Sequence, residues 1–160
     1  MRLQIAAVGR LKAGPERELL DRYVERANAA GRSVSLAPLE ITEVPESQAR
    51  RPADRMAEEA AKLNAAVAKG ARRIVLDSGG RNFSSEELAS RLAKLRDQGA
   101  PAATCLIGGA DGLTKPATED VELKISFGAA TFPHQIVRIL LAEQIYRAIT
   151  ILSGHPYHRS

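Results

Sequence analysis

The stretch from Pro133 to Leu152 is apolar on more than one face at helical spacing, and this constrains the fold more than any other feature of the chain. Ile136 and Leu140 make one row. Val137, Leu141, Ile145, Ala148, Ile149 and Leu152 make a second, and Ile139 and Ala142 widen the stripe. A helix so apolar around its circumference must be covered on two sides. One side suits the sheet of its own chain, and the other suggests a dimer interface; a central helix in a monomer is the alternative. Pro133 suits the first turn, where its missing N–H costs nothing. Arg138 sits close after a small-residue loop and either reaches a ligand there or is a surface charge. Glu143 and Arg147, four apart, suit a surface pair.

Upstream, short apolar runs ending in glycine alternate with helical patterns. Leu3–Val8 reads as a strand, Pro15–Ala30 as a helix and Ser33–Glu40 as a second strand, followed by a polar loop over Ile41–Arg51. Pro52–Ala68 reads as a helix. Arg73–Leu76 reads as a short buried strand closed by a turn at Asp77-Ser78-Gly79-Gly80. Ser84 and Ser85 ahead of Glu86 and Glu87 mark the cap of a helix reaching Gln98. Thr104–Ile107 is a buried strand, Pro116–Asp120 a short helix and Glu122–Ser126 a last strand. Strands alternating with helices predict an α/β fold with a mainly parallel sheet and flanking helices. No repeat or linker divides the 160 residues, so the chain reads as a single domain, 1–160.

Composition excludes several classes. Arg138, Glu143 and Arg147 interrupt the longest apolar stretch, so no membrane span is expected. The N-terminus has no signal-peptide core. The single cysteine, Cys105, excludes an internal disulfide framework and fits a reducing, cytoplasmic setting; in its apolar run it reads as buried and inert. A net charge of +4 and a pI near 9.5 suit a polyanionic partner such as RNA. With three tyrosines, three phenylalanines and no tryptophan, an aromatic-rich binding strand is not expected, so a folded surface would have to do the binding.

Three strand ends carry unusual residues: Leu76–Gly80, Ile107–Gly112 and Ser126–Pro133. Ligands of open α/β sheets sit outside the carboxyl ends of strands, so three such loops together point to one site. Gly108-Gly109-Ala110-Asp111-Gly112 lacks the dinucleotide spacing, no phosphate-loop Gly-Lys-Ser/Thr occurs, and no ligand cluster has metal spacing. All three histidines fall in the C-terminal segment. His134 follows Pro133 at a helix start and reads as a capping or packing residue. His155-Pro156 reads as a turn. A tail of His, Tyr and Arg at the end of a chain suggests that it is held there for a purpose.

Long stretches of the chain resemble a known family. They are Leu3–Gly9, Ile107-Gly108-Gly109 with Asp111-Gly112-Leu113, Thr131–Gln135, Leu141–Ala148 and His155-Pro156-Tyr157-His158-Arg159. The chain resembles the ribosomal RNA large subunit methyltransferase H family, of the SPOUT class. The resemblance implies methylation of N3 of a pseudouridine in large-subunit ribosomal RNA, with S-adenosylmethionine as cofactor. It implies a C-terminal trefoil knot and a homodimer with its active sites at the interface. Knots are too rare to be read from pattern. Carried over by residue, the cofactor contacts fall on Leu76, Gly108, Phe127, Gly128, Ala129, Ala130, Thr131 and Phe132. The tail residues Tyr157, His158 and Arg159 are the catalytic candidates. His158 or Tyr157 would help remove the imide proton or orient the base, and Arg159 would contact phosphate or stabilise the developing anion. The ribosome is then the partner, and neither a metal nor a membrane is needed. A SPOUT methyltransferase acting on another RNA and a non-enzymatic ribosome-binding module are the alternative readings.

Overall fold

The computed structural model describes residues 1–158. Five strands and five helices follow in order: β1 Arg2–Val8, α1 Pro15–Gly31, β2 Leu39–Val44, α2 Pro52–Ala66, β3 Arg72–Asn82, α3 Ser85–Asp97, β4 Ala102–Ile107, α4 Lys115–Thr118, β5 Leu123–Ser126 and α5 His134–Ser153. The sheet is entirely parallel, in the order β2-β1-β4-β3-β5. Parallel strands are joined by crossovers, so all their carboxyl ends lie along one edge. That edge is where the site is built.

The two-residue period of a strand divides the core in two. Leu3, Ile5 and Ala7 of β1, Ala103, Cys105 and Ile107 of β4, and Ile74 of β3 join one cluster with α1, α3 and α5. Ala6, Val8, Val75 and Leu106 point the other way and join Leu63 of α2. Each fully buried large aliphatic side chain removes apolar surface worth about 1.5–3 kcal/mol. β4 is buried along its whole length, as expected of a central parallel strand.

α5 lies on the first face with α1 on one side and α3 on the other. Its two-sided apolarity is therefore largely used inside the chain. Ile139, Leu141, Ala142, Ile145, Ala148 and Ile149 are all buried there. The row of Ile136 and Leu140 is not. Ile136 stays exposed, Leu140 is half-buried, and Phe132 just before the helix is also exposed.

Local chemistry sets the helix ends. Ser84 Oγ accepts from the Glu87 N–H at 3.1 Å while the Glu87 carboxylate accepts from the Ser84 N–H at 2.9 Å, so α3 opens on a reciprocal cap. Gly154, with φ of +68°, takes the left-handed turn that closes α5. Gln4 ends α2: its amide donates to the Ala66 carbonyl at 3.0 Å, and its oxygen accepts from the Ala68 N–H and the Thr104 hydroxyl. The helix thus stops short of the expected Ala68.

Two strands differ from expectation. The strand expected at Ser33–Glu40 is instead β2, Leu39–Val44, preceded by a 3-10 turn at Arg32–Val34. β1 recruits it residue for residue, from Leu3 opposite Leu39 to Val8 opposite Val44. β2 is an edge strand carrying Glu40, Thr42 and Glu43, and this polarity reads as loop in sequence. The turn expected after Leu76 lies within β3, which continues to Asn82. Ile125 pairs with both Leu76 and Arg81, so the intervening residues form an irregularity rather than a strand end. Gly80 permits this: a Cβ there would stand 2.6 Å from the Ile125 carbonyl carbon.

Candidate functional site

A cleft of about 360 Å³ opens at the carboxyl ends of β4 and β5 and beside the irregularity in β3. This is within the range of small-ligand sites. Its walls are Leu76, Asp77 and Ser78 from β3, the glycine loop Ile107–Leu113 after β4, the run from Ile125 to Phe132 after β5, and His134 and Val137 from the first turns of α5. The three strand-end loops singled out in the sequence therefore meet at one place. Leu76, Gly108 and every residue from Phe127 to Phe132 lie on its wall.

The loop after β5 is held by its own first residue. Ser126 Oγ accepts from the Gly128 N–H at 3.2 Å and donates to the Gly128 carbonyl at 3.0 Å. Gly128 has φ of +117°, which a residue with a side chain rarely adopts, and the space where its Cβ would stand is open. Small residues at 128–130 leave backbone rather than side chains facing the cleft. Such a wall recognises a ligand through N–H and C=O groups. Asp77, on the β3 part of the wall, accepts from the Gly79 N–H at 2.8 Å and has no ion-pair partner among the described residues. Its carboxylate suits a ligand carrying positive charge.

Several wall residues were not anticipated. Asp77 and Ser78 of β3 and Asp111 of the glycine loop carry no role in the sequence reading. His134, read as a capping or packing residue, packs beside Gly9 and Glu46, with Nε2 3.9 Å from Glu46 Oε1, and it also lines the cleft. Its place directly after the small-residue loop was the available signal. Arg138 is a correction, because it neither reaches the cleft nor lies on the surface. It is fully buried, donating to the carbonyls of Val8 and Gly9 at 3.0 and 3.1 Å and to Glu43 at 2.5 Å.

The C-terminal tail is held elsewhere. Tyr157 donates to Glu143 Oε1 at 3.0 Å, and Arg147 binds the same oxygen while lying 4.8 Å over the Tyr157 ring. Tyr146 packs against Tyr157 with ring centroids 4.6 Å apart and planes tilted by 53°. His158 Nε2 lies 2.7 Å from Glu86 Oε1, and its Nδ1 is 3.5 Å from Arg147. Burial, then the neighbours Tyr23 and Glu143, push the Tyr157 hydroxyl well above its ordinary value. It is thus a hydrogen-bond donor and a poor proton acceptor. Backbone and Ser84 hydrogen bonds, then His158, hold the Glu86 carboxyl below its usual range. None of residues 155–158 lines the cleft of its own chain. Arg159 lies outside the described residues. Burial pushes the Cys105 thiol up to about 12, so it is inert.

A five-stranded parallel sheet with its cleft at the strand ends defines an α/β protein that seats a small ligand through loop backbone. The family model described as "Predicted SPOUT methyltransferase" matches residues 1–158. The chain belongs to the SPOUT methyltransferase family. Two similar proteins, both named ribosomal RNA large subunit methyltransferase H, come from Xanthobacter autotrophicus and Methylocella silvestris. The first is 58% identical over 100% of both chains, and the second is 55% identical over 99% of each. A solved structure from Haemophilus influenzae Rd KW20, described as a probable methylase family protein, matches 99% of this chain and 70% of its own. Its TM-score is 0.53 at 13% identity, a likeness of fold alone.

Proposed function

We propose that the chain methylates N3 of a pseudouridine in large-subunit ribosomal RNA, on the assembled ribosome in the cytoplasm, with S-adenosylmethionine as methyl donor. The observation that carries this reading is the backbone-lined cleft at the ends of β4 and β5 and the irregularity in β3, in a chain alike over its full length to proteins named for ribosomal RNA methylation. Bound there, the cofactor supplies a methyl group on a positively charged sulfur. Leu76, Gly108 and residues 127–132 would hold it, and the Asp77 carboxylate on the same cleft would suit its positive charge. The whole chain, 1–160, acts as one catalytic domain.

The protein's own task is to orient the acceptor nitrogen and remove its proton. Between the tail candidates, the chemistry favours His158 over Tyr157, since the tyrosine holds its proton. Arg159 contacts phosphate or steadies the imide anion. The tail packs against α3 and α5 of its own chain, away from that chain's cleft. It therefore serves the cleft of a second copy, and the exposed row of Phe132 and Ile136 is suited to such a homodimer. The knotted path implied by the resemblance belongs to the same reading.

The test is methyl transfer from labelled S-adenosylmethionine to ribosomes, to free ribosomal RNA and to transfer RNA, with the product base mapped. Methylpseudouridine formed on ribosomes alone is the expected result. Transfer only to another RNA, or none to any, overturns it.

A further inference from the structure

α2 stands against the glycine loop at two points. The Arg55 guanidinium donates from Nε to Asp111 Oδ2 at 2.7 Å and from Nη2 to Oδ1 at 3.1 Å. Its Nη1 donates to the carbonyls of Ala49 and Arg50 at 3.2 and 3.0 Å. One helical turn later Glu59 is only 5% exposed. Its Oε1 accepts from the Ser47 N–H at 2.9 Å, while its Oε2 is buried with no partner. That bare oxygen faces Gly109, where a Cβ would stand 2.6 Å away. The loop is closed on itself, Gly112 N–H donating to the Gly109 carbonyl at 3.0 Å. Gly109 and Asp111 line the cleft; Arg55 and Glu59 do not.

We infer that α2 sets the position of the glycine loop in the cleft, with Arg55 as a positioning residue and Glu59 as the stop beneath Gly109. This rests on reading the cleft as the S-adenosylmethionine site. The Arg55–Asp111 pair is part-exposed, at 28% and 27%, so it contributes little to global stability. Its fork geometry is directional, however, and fixes the loop's orientation as well as its distance. A lysine keeps the charge and loses the fork. Glu59 sets the other limit, because a methyl at 109 would meet its bare carboxylate oxygen first and displace it or the loop.

The test is a calorimetric titration of the intact chain with S-adenosylmethionine, alongside thermal melting and steady-state methylation. Arg55→Ala weakens cofactor affinity on the order of tenfold and raises KM for the cofactor more than it lowers kcat, with little change in melting. Arg55→Lys falls between, and the exchanged pair Arg55→Asp with Asp111→Arg recovers binding. Gly109→Ala weakens binding, and adding Glu59→Ala, which removes the clashing oxygen, restores part of it. Unchanged affinity in Arg55→Ala overturns the inference. So does Gly109→Ala/Glu59→Ala binding no better than Gly109→Ala alone, a comparison that decides if Arg55→Ala fails to fold. No binding by the unaltered chain overturns the reading of the cleft and this inference with it. Binding by the unaltered chain with unaffected variants overturns this inference alone.

Discussion

Arg138, in the second turn of α5, reaches across the sheet edge to Glu43 at the end of β2 at 2.5 Å. Glu43 also accepts two hydrogen bonds from Arg17 of α1, at 2.8 Å each, and one from the Leu11 N–H at 3.0 Å. The Arg138 side chain is fully buried and its other end is held by the carbonyls of Val8 and Gly9. One carboxylate thus ties β1, β2, α1 and α5 together at the edge that carries the cleft.

Arg138→Met removes one charge and leaves Glu43 with Arg17, but strands the Val8 and Gly9 carbonyls. Glu43 keeps Arg17, so the cost is that of the unsatisfied buried carbonyls, about 1–3 kcal/mol. We expect the denaturant midpoint to fall accordingly. A loss under 1 kcal/mol would show that the pair is dispensable.

Glu43 also carries an acid dependence. Burial alone would raise its carboxyl; the Leu11 N–H, Arg17 and Arg138 outweigh it and hold it below its ordinary value. A carboxyl lowered on folding adds stability that is complete above the unfolded value, about 4.3, and that drains away as pH falls through the folded one. Glu43→Gln should therefore be less stable at neutral pH and lose less on acidification. Parallel stability–pH curves for the two proteins would refute this.

Gly80→Ala drives a methyl into the Ile125 backbone, which no rotamer relieves. The expected cost is about 1–3 kcal/mol, and cofactor binding should fall with it because β3 and β5 both wall the cleft. Equal unfolding midpoints and equal calorimetric affinities would show that the strands yield.

The tail separates packing from chemistry. Tyr157→Phe removes only the hydrogen bond to Glu143 and should cost about 0.5–1.5 kcal/mol with methylation largely kept. His158→Ala should abolish most methylation while cofactor affinity stays near that of the unaltered chain. Full activity in His158→Ala removes the tail from the mechanism.

Gln4→Leu leaves the Ala66 carbonyl, the Ala68 N–H and the Thr104 hydroxyl without their partner. A loss of at least about 1–3 kcal/mol is expected, read by thermal melting. No loss would mean that water replaces the amide.

Much of the site was visible in the chain because its signals are local. Glycines and small residues after Ile107 and Ser126 mark strand ends, and a parallel sheet brings strand ends to one edge whatever the details; after Leu76 the same signal marks an irregularity inside β3 instead. The capping box at Ser84 and the stop at Gly154 depend only on neighbours in sequence. β2 lies later than expected because an edge strand takes its register from its partner, and its own alternation, Leu39-Glu40-Ile41-Thr42, is short and breaks at Glu43.

What depends on residues within a turn or two of one another was thus settled by the order of the amino acids: helix ends, strand cores and the loops that could hold a ligand. Pairings between distant residues were settled only when the chain closed. Arg138 meets Glu43 across 95 positions, Arg55 meets Asp111 across 56 and His158 meets Glu86 across 72. An arginine in an apolar helix looks the same in sequence whether it faces water, a ligand or a buried carboxylate. Only the packing of α5 between α1 and α3 decides which, because burial makes the unpaired charge too costly to leave alone.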